Sequence, residues 1–170
     1  MSDIAVTWDG AAFAADWRLL AGDLATDADL ESAIIVSLFT DARAGDDDVL
    51  PDSPGTAATA SGGASALPDR RGWWGNTDAG VIHDTGEIGS KLWLLAREKR
   101  TDETLNRARQ YCREALAWLI DDGVASRVEI DAEYQGDASH VLLALDISVI
   151  RSDGTVKPYR YAMPWSQLAG

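Results

Sequence analysis

Arg127-Val128-Glu129-Ile130-Asp131-Ala132-Glu133-Tyr134 puts an apolar residue at every second position, and every residue between is charged. That period fits a strand with one face in a core and one in water. Val141, Leu143, Leu145, Ile147 and Val149 continue the alternation, and so do Lys157, Tyr159, Tyr161, Met163 and Trp165. Ser152-Asp153-Gly154 between the last two runs is a hairpin signal. Pro158 and Pro164 have no N–H to give a ladder, which predicts that the last strand lies at an edge. The expected product is a three-stranded antiparallel meander with one face against helices, hence an α+β fold.

Working back from the meander, Leu105, Ala108, Cys112, Ala115, Leu116, Leu119 and Ile120 recur at steps of three and four. They predict one amphipathic helix, capped at Thr101-Asp102 and ended by Asp122-Gly123. Leu30, Ala33, Ile34, Ile35, Leu38 and Phe39 predict an earlier helix, capped by Asp27 or Asp29. Val36 makes it apolar nearly all round, as in a buried helix. Ile4 to Trp8 and Trp17 to Leu20 read as short N-terminal strands.

Between the two helices lies Asp69-Arg70-Arg71-Gly72-Trp73-Trp74-Gly75, followed after a loop by Gly89-Ser90-Lys91-Leu92-Trp93-Leu94-Leu95-Ala96-Arg97. Leu92, Trp93, Leu95 and Ala96 predict a short helix. Exposing large aromatic rings is costly, so the segment reads as a plug, either into the chain's own core or into a partner. Arg70, Arg71 and Arg97 flank Trp73, Trp74 and Trp93. A basic-aromatic cluster can hold single-stranded nucleic acid. The alternative reading packs the rings and pairs the arginines with the acidic N-terminal half.

The chain has 170 residues and a formal net charge of −13, which argues against a phosphate-backbone or anionic-membrane partner. From Met1 to Pro51 only Arg18 and Arg43 are basic, whereas basic residues outnumber acidic ones from Arg70 to Arg113. Such polarity suits oriented protein–protein assembly. One domain is expected over 1–170, interrupted at about 44–68 by a low-complexity stretch of small residues. No secretory signal or bilayer span is expected. The single cysteine, Cys112, leaves no internal disulfide and reads as a core residue.

No constellation points to catalysis, cofactor or metal. Asp46-Asp47-Asp48 lacks calcium-loop spacing and reads as a solvated turn. His83-Asp84 and His140 are attached to no nucleophile motif. Glu87 and Glu98 are carboxylates a glycosidase could use, but nothing in their spacing singles them out.

Leu38-Phe39-Thr40-Asp41-Ala42-Arg43, the Arg-Arg-Gly-Trp-Trp-Gly segment, Gly89 to Lys99, Glu114 to Ile120 with Asp122-Gly123-Val124-Ala125, and Ser152-Asp153-Gly154-Thr155 together resemble the gene-product-forty-six family of Mu-like phages. That family is similar to the small baseplate wedge subunits of contractile tails and type VI secretion machines, which start the tail sheath. The resemblance implies a non-enzymatic virion protein, made in the host cytoplasm and built in several copies into a six-fold baseplate. Implied partners are the tail sheath protein, other wedge proteins, and tube or hub proteins, with no nucleic acid or membrane. The implied mechanism is strand addition to an open sheet edge. The wider group carries a Glu-Pro-Arg motif after the long helix; here the position reads Asp122-Gly123-Val124-Ala125-Ser126-Arg127, the Glu and Pro are absent, and only Arg127 corresponds to the motif arginine. With the Trp-Arg cluster, Arg127, Tyr159, Tyr161 and Trp165 are the candidate partner contacts. The competing expectations are a lysozyme-like tail enzyme and a stand-alone binding module.

Overall fold

The structure, a computed structural model, describes residues 3–27, 30–51, 70–73, 88–96, 98–137 and 140–165. Six short strands open the chain: β1 (Asp3–Ile4), β2 (Val6–Asp9), β3 (Ala14–Trp17), β4 (Leu19–Leu20), β5 (Asp23–Leu24) and β6 (Thr26–Asp27). They form three nested antiparallel pairs, β1 with β6, β2 with β3 and β4 with β5. Helices α1 (Glu31–Phe39), α2 (Asp102–Ala115) and α3 (Trp118–Asp121) follow, with a 3-10 turn at Leu92–Leu95 between α1 and α2.

The C-terminal strands β7 (Arg127–Gly136), β8 (Val141–Ile150) and β9 (Val156–Pro164) form the expected sheet, in the order β7-β8-β9. Its register runs without a slip from Arg127 opposite Ile150 to Gly136 opposite Val141, and from Ile150 opposite Val156 to Leu142 opposite Pro164. Leu143, Leu145, Ile147, Val149, Tyr161 and Met163 are buried on one face against α1, α2 and the 3-10 turn. The other face carries Glu129, Asp131, Glu133, Asp146 and Arg160. A shift of one residue would exchange these two sets, so the buried face sets the pairing.

Helix α2 begins as the sequence suggests. The Thr101 hydroxyl accepts the Thr104 N–H at 3.2 Å, and Asp102 and Glu103 face the positive end of the helix dipole. The helix is shorter than expected. It breaks at Leu116-Ala117 and restarts as α3, and Gly123 (φ +70°) ends that turn. Leu116 and Leu119 stay buried across the break, but Ile120 turns outward.

Three other expectations are corrected. Helix α1 is not capped by Asp27, which lies in β6; Leu30 takes the cap position with no side-chain bond. Its Val36 is exposed, because the sheet and α2 cover only one side. The segment after Gly89 is a single 3-10 turn, and the chain is extended again at Ala96. Leu92, Trp93, Leu94 and Leu95 are all buried, so this is a plug surrounded by core rather than an amphipathic helix with one wet side. Within the stretch expected as low-complexity, Ala44 and Leu50 are buried in the core; residues 52–69 lie outside the described residues.

Candidate interaction site

Two groups of sequence-chosen residues come to different ends. The first gathers around the loop after α1. Ser90 donates its N–H to the Thr40 carbonyl (2.8 Å), Ala42 donates back to the Ser90 carbonyl (2.9 Å), and Asp41 and Ser90 make a parallel bridge. Trp93 is 5% exposed and donates Nε1 to the Ala42 carbonyl at 2.9 Å. The Arg71 guanidinium lies 5.0 Å from the centre of that ring and pairs with Asp41 at 3.0 Å. Arg70 pairs with Asp46 at 2.6 Å and also donates to the Gly45 and Asp46 carbonyls. Lys91 pairs with Asp48 at 2.8 Å.

The middle basic segment is thus clasped to the acidic one within the chain. In the acidic triplet, Asp46 and Asp47 are exposed on a turn, and Asp48 is half-buried beside Lys91. Trp93 is core and has no surface to offer a partner. Trp73 is partly buried, while Trp74, Arg97, Glu87, His83 and Asp84 fall outside the described residues. Burial tends to raise the Asp48 carboxyl, but the Lys91 ammonium and the Gly45 N–H outweigh it and hold the group below its ordinary 3.8. A depressed folded-state value stabilises above the unfolded value and is lost as pH falls through the folded one. Asp48→Asn is therefore expected to lower stability by up to about 1 kcal/mol near neutral pH. The two proteins should converge in acid melts once pH drops well below 3.8.

The second group is on the sheet. Tyr161 is 1% exposed and meets Trp8 and Phe39 edge-on, with centroids 5.9 and 5.5 Å away. It is therefore also core rather than contact. Trp165 packs edge-on to Tyr134 at 5.3 Å, and Tyr159 is half-buried beside the core. Arg127 stands at the start of β7, exposed and paired with Glu129 at 2.8 Å. A cavity of about 380 Å³ adjoins β9 at Met163, lined by Trp8, Phe39, Asp41, Arg71 and Trp93 among others.

Sequence reasoning missed two surfaces. Trp17, Leu19 and Leu20 on β3 and β4 are exposed at 66, 74 and 69%; their strand signal was visible but not the lack of cover. Arg109 reaches from α2 to β7, donating to Asp131 (3.0 Å) and to the Ala132 carbonyl (2.7 Å). Asp131 is held below the ordinary carboxylate range, first by Arg109 and then by the Ala132 N–H. No local pattern announces that contact.

Glu98 accepts from Arg107 at 2.8 Å. Cys112 is fully buried, and burial pushes its thiol up to about 12, far from a reactive thiolate. Among the described residues, no three His, Cys, Asp or Glu side chains converge to hold a metal ion, and no helix is long and apolar enough to cross a membrane.

The model of the phage protein GP46 family matches residues 30–156, from α1 to the start of β9. This chain belongs to that family. It is similar to the "Baseplate protein gp46" of Escherichia phage Mu, at 39% identity over 163 residues and 95% of each chain. It is also similar to the "Mu-like prophage FluMu protein gp46" of Haemophilus influenzae, at 34% identity over 166 residues, covering 98% of this chain and 99% of that one. The matched region of this GP46 protein includes both the clasp around Trp93 and two strands of the sheet with the start of the third.

Proposed function

We propose that this chain is a structural wedge subunit of a contractile tail baseplate, located in the virion, and that it starts the sheath by offering a sheet edge to a neighbouring chain. The observation that carries this reading is the three-stranded sheet, whose outer strands β7 and β9 each pair on one side only among the described residues. An edge strand presents a row of N–H and C=O groups that another extended segment can complete. Similarity to a protein named for the Mu baseplate supports the same role.

Each net hydrogen bond in such a junction contributes only about 0.5–1.5 kcal/mol. A ring of copies engaged together multiplies that small advantage by raising the effective concentration of every further contact. The clasp of Asp41, Asp46 and Asp48 with Arg71, Arg70 and Lys91 ties the loop after α1 to the segments that precede α2. The exposed Trp17, Leu19 and Leu20 are a second, apolar surface suited to wedge neighbours. Sheath, wedge, and tube or hub proteins are the partners of this reading, in a six-fold assembly with one domain per copy.

Removing the gene from its phage tests the reading. The expected particles keep a tube but lack polymerised sheath, and supplying the protein in trans restores contractile tails. Fully sheathed tails without the protein would rule the role out.

A further inference from the structure

The reading above leaves open which rim of the sheet receives the added strand, and the backbone phase separates them. In the turn between β8 and β9, Arg151 donates its N–H to the Thr155 carbonyl at 2.9 Å. Together with the register, this makes Val149 with Lys157, Ile147 with Tyr159, Leu145 with Tyr161 and Leu143 with Met163 the pairs that exchange bonds with β8. The backbone groups of Val156, Pro158, Arg160, Ala162 and Pro164 therefore point outward. In β7, the turn bond from His140 N–H to the Asp137 carbonyl and the register turn Val128, Ile130, Ala132 and Tyr134 outward.

The middle of the β7 rim is already closed. The Ala132 N–H goes to Asp131 Oδ1 at 2.8 Å, and its carbonyl accepts from Arg109 Nη2 at 2.7 Å. The β9 rim is open over a short, bounded stretch. Arg160 and Ala162 donate their N–H groups to nothing among the described residues, and the prolines on either side have no N–H to give.

We infer that an extended arm of another polypeptide adds to β9, centred on Arg160 to Ala162 and framed by Pro158 and Pro164. This rests on the strand-addition reading. The rim supplies donors from Arg160 and Ala162, and acceptors from those two residues and both prolines. Proline stops the pairing from spreading along the strand and so sets its register.

A second copy of this chain is a poor occupant. Antiparallel self-pairing centred on Tyr161 sets Pro158 of one copy against Pro164 of the other, so neither carbonyl meets an N–H. Centred on Arg160, it sets two guanidinium side chains directly opposite, which destabilises a ladder. A different chain fits if its side chains alternate. Those on the core side meet Tyr159, Tyr161 and Met163 and are apolar. Those on the open side lie beside Arg160, which already faces Glu133 at 3.3 Å and Asp146 at 3.5 Å, and are not cationic.

Amide hydrogen exchange on the full-length wild-type chain, free and within purified tails, tests this directly. In the free subunit the Arg160 and Ala162 amides are expected to exchange fast while those of Tyr159 and Tyr161 are slow. In the tail, Arg160 and Ala162 should slow by at least about tenfold, with Val128 and Ile130 unchanged. Slowing confined to Val128 and Ile130 moves the arm to β7 and overturns this inference, while strand addition survives. No change at either rim overturns strand addition itself. Arg160 and Ala162 already protected in the free chain would overturn the assignment of an open rim.

Discussion

Trp93→Ala is expected to destabilise the protein by about 3–5 kcal/mol, the range for emptying a large buried aromatic site. Trp93 is 5% exposed and sits in a 3-10 turn whose other three residues are also buried. Three kinds of contact are lost together: core packing, the Nε1 bond to the Ala42 carbonyl, and the ring beneath the Arg71 guanidinium. The Ala42 carbonyl would be left buried without its donor, and Arg71 would lose the ring beneath its guanidinium. Trp93→Phe retains most of the packing and should cost about 1–3 kcal/mol, chiefly for the unmet carbonyl. Urea denaturation of the three proteins measures both differences. An alanine variant as stable as the wild type but unable to assemble would move Trp93 from core to interface, against its burial.

Gly89→Ala is the second large effect, expected at about 3 kcal/mol or more. Gly89 has φ +120°, a conformation that costs an L side chain on its own. A methyl group there would also lie 2.7 Å from the Thr40 carbonyl oxygen and 2.8 Å from the Ala42 nitrogen. Both are backbone atoms held by the bridge between Asp41 and Ser90, so neither yields cheaply. Gly123→Ala is the internal control. Gly123 also has positive φ (+70°), but a Cβ there meets nothing within 4 Å. Its cost should stay near the conformational penalty alone, about 1–2 kcal/mol. Comparing the two variants by thermal melting separates backbone strain from collision. Equal losses would show that the approach of Gly89 to residues 40–42 is looser than the structure has it.

The meander was readable because its signal is local. Alternation in β7, β8 and β9 repeats every two residues, and Ser152-Asp153-Gly154 marks its own turn. The Thr101 cap was readable for the same reason. What escaped depends on neighbours far along the chain. Leu92 to Leu95 carry a helical-looking pattern, but all four side chains are enclosed by α1, α2 and the sheet, so the pattern has no wet side to report. Val36 and Ile120 are apolar yet exposed, and only the packing of α1 and α3 decides that. Of the Trp-Arg cluster, Arg71 lies over the Trp93 ring, and Trp74 and Arg97 lie outside the described residues. Arg71 pairs with Asp41 and Arg70 with the exposed Asp46, while Trp93 and Tyr161 are buried in the core. The closure of β7 by Arg109 joins residues 22 and 23 apart, and no spacing rule connects a helix arginine to a particular strand carbonyl. The prolines of β9 were visible from the start, but their meaning required the phase of the ladder.

The most direct measurement is a cryo-electron microscopy map of the assembled tail with this chain traced at the base of the sheath. The expected result is a fourth strand, contributed by a different polypeptide and lying along β9 between Pro158 and Pro164. A map in which β9 borders only solvent or its own chain, or in which this protein sits away from the first sheath ring, would contradict it.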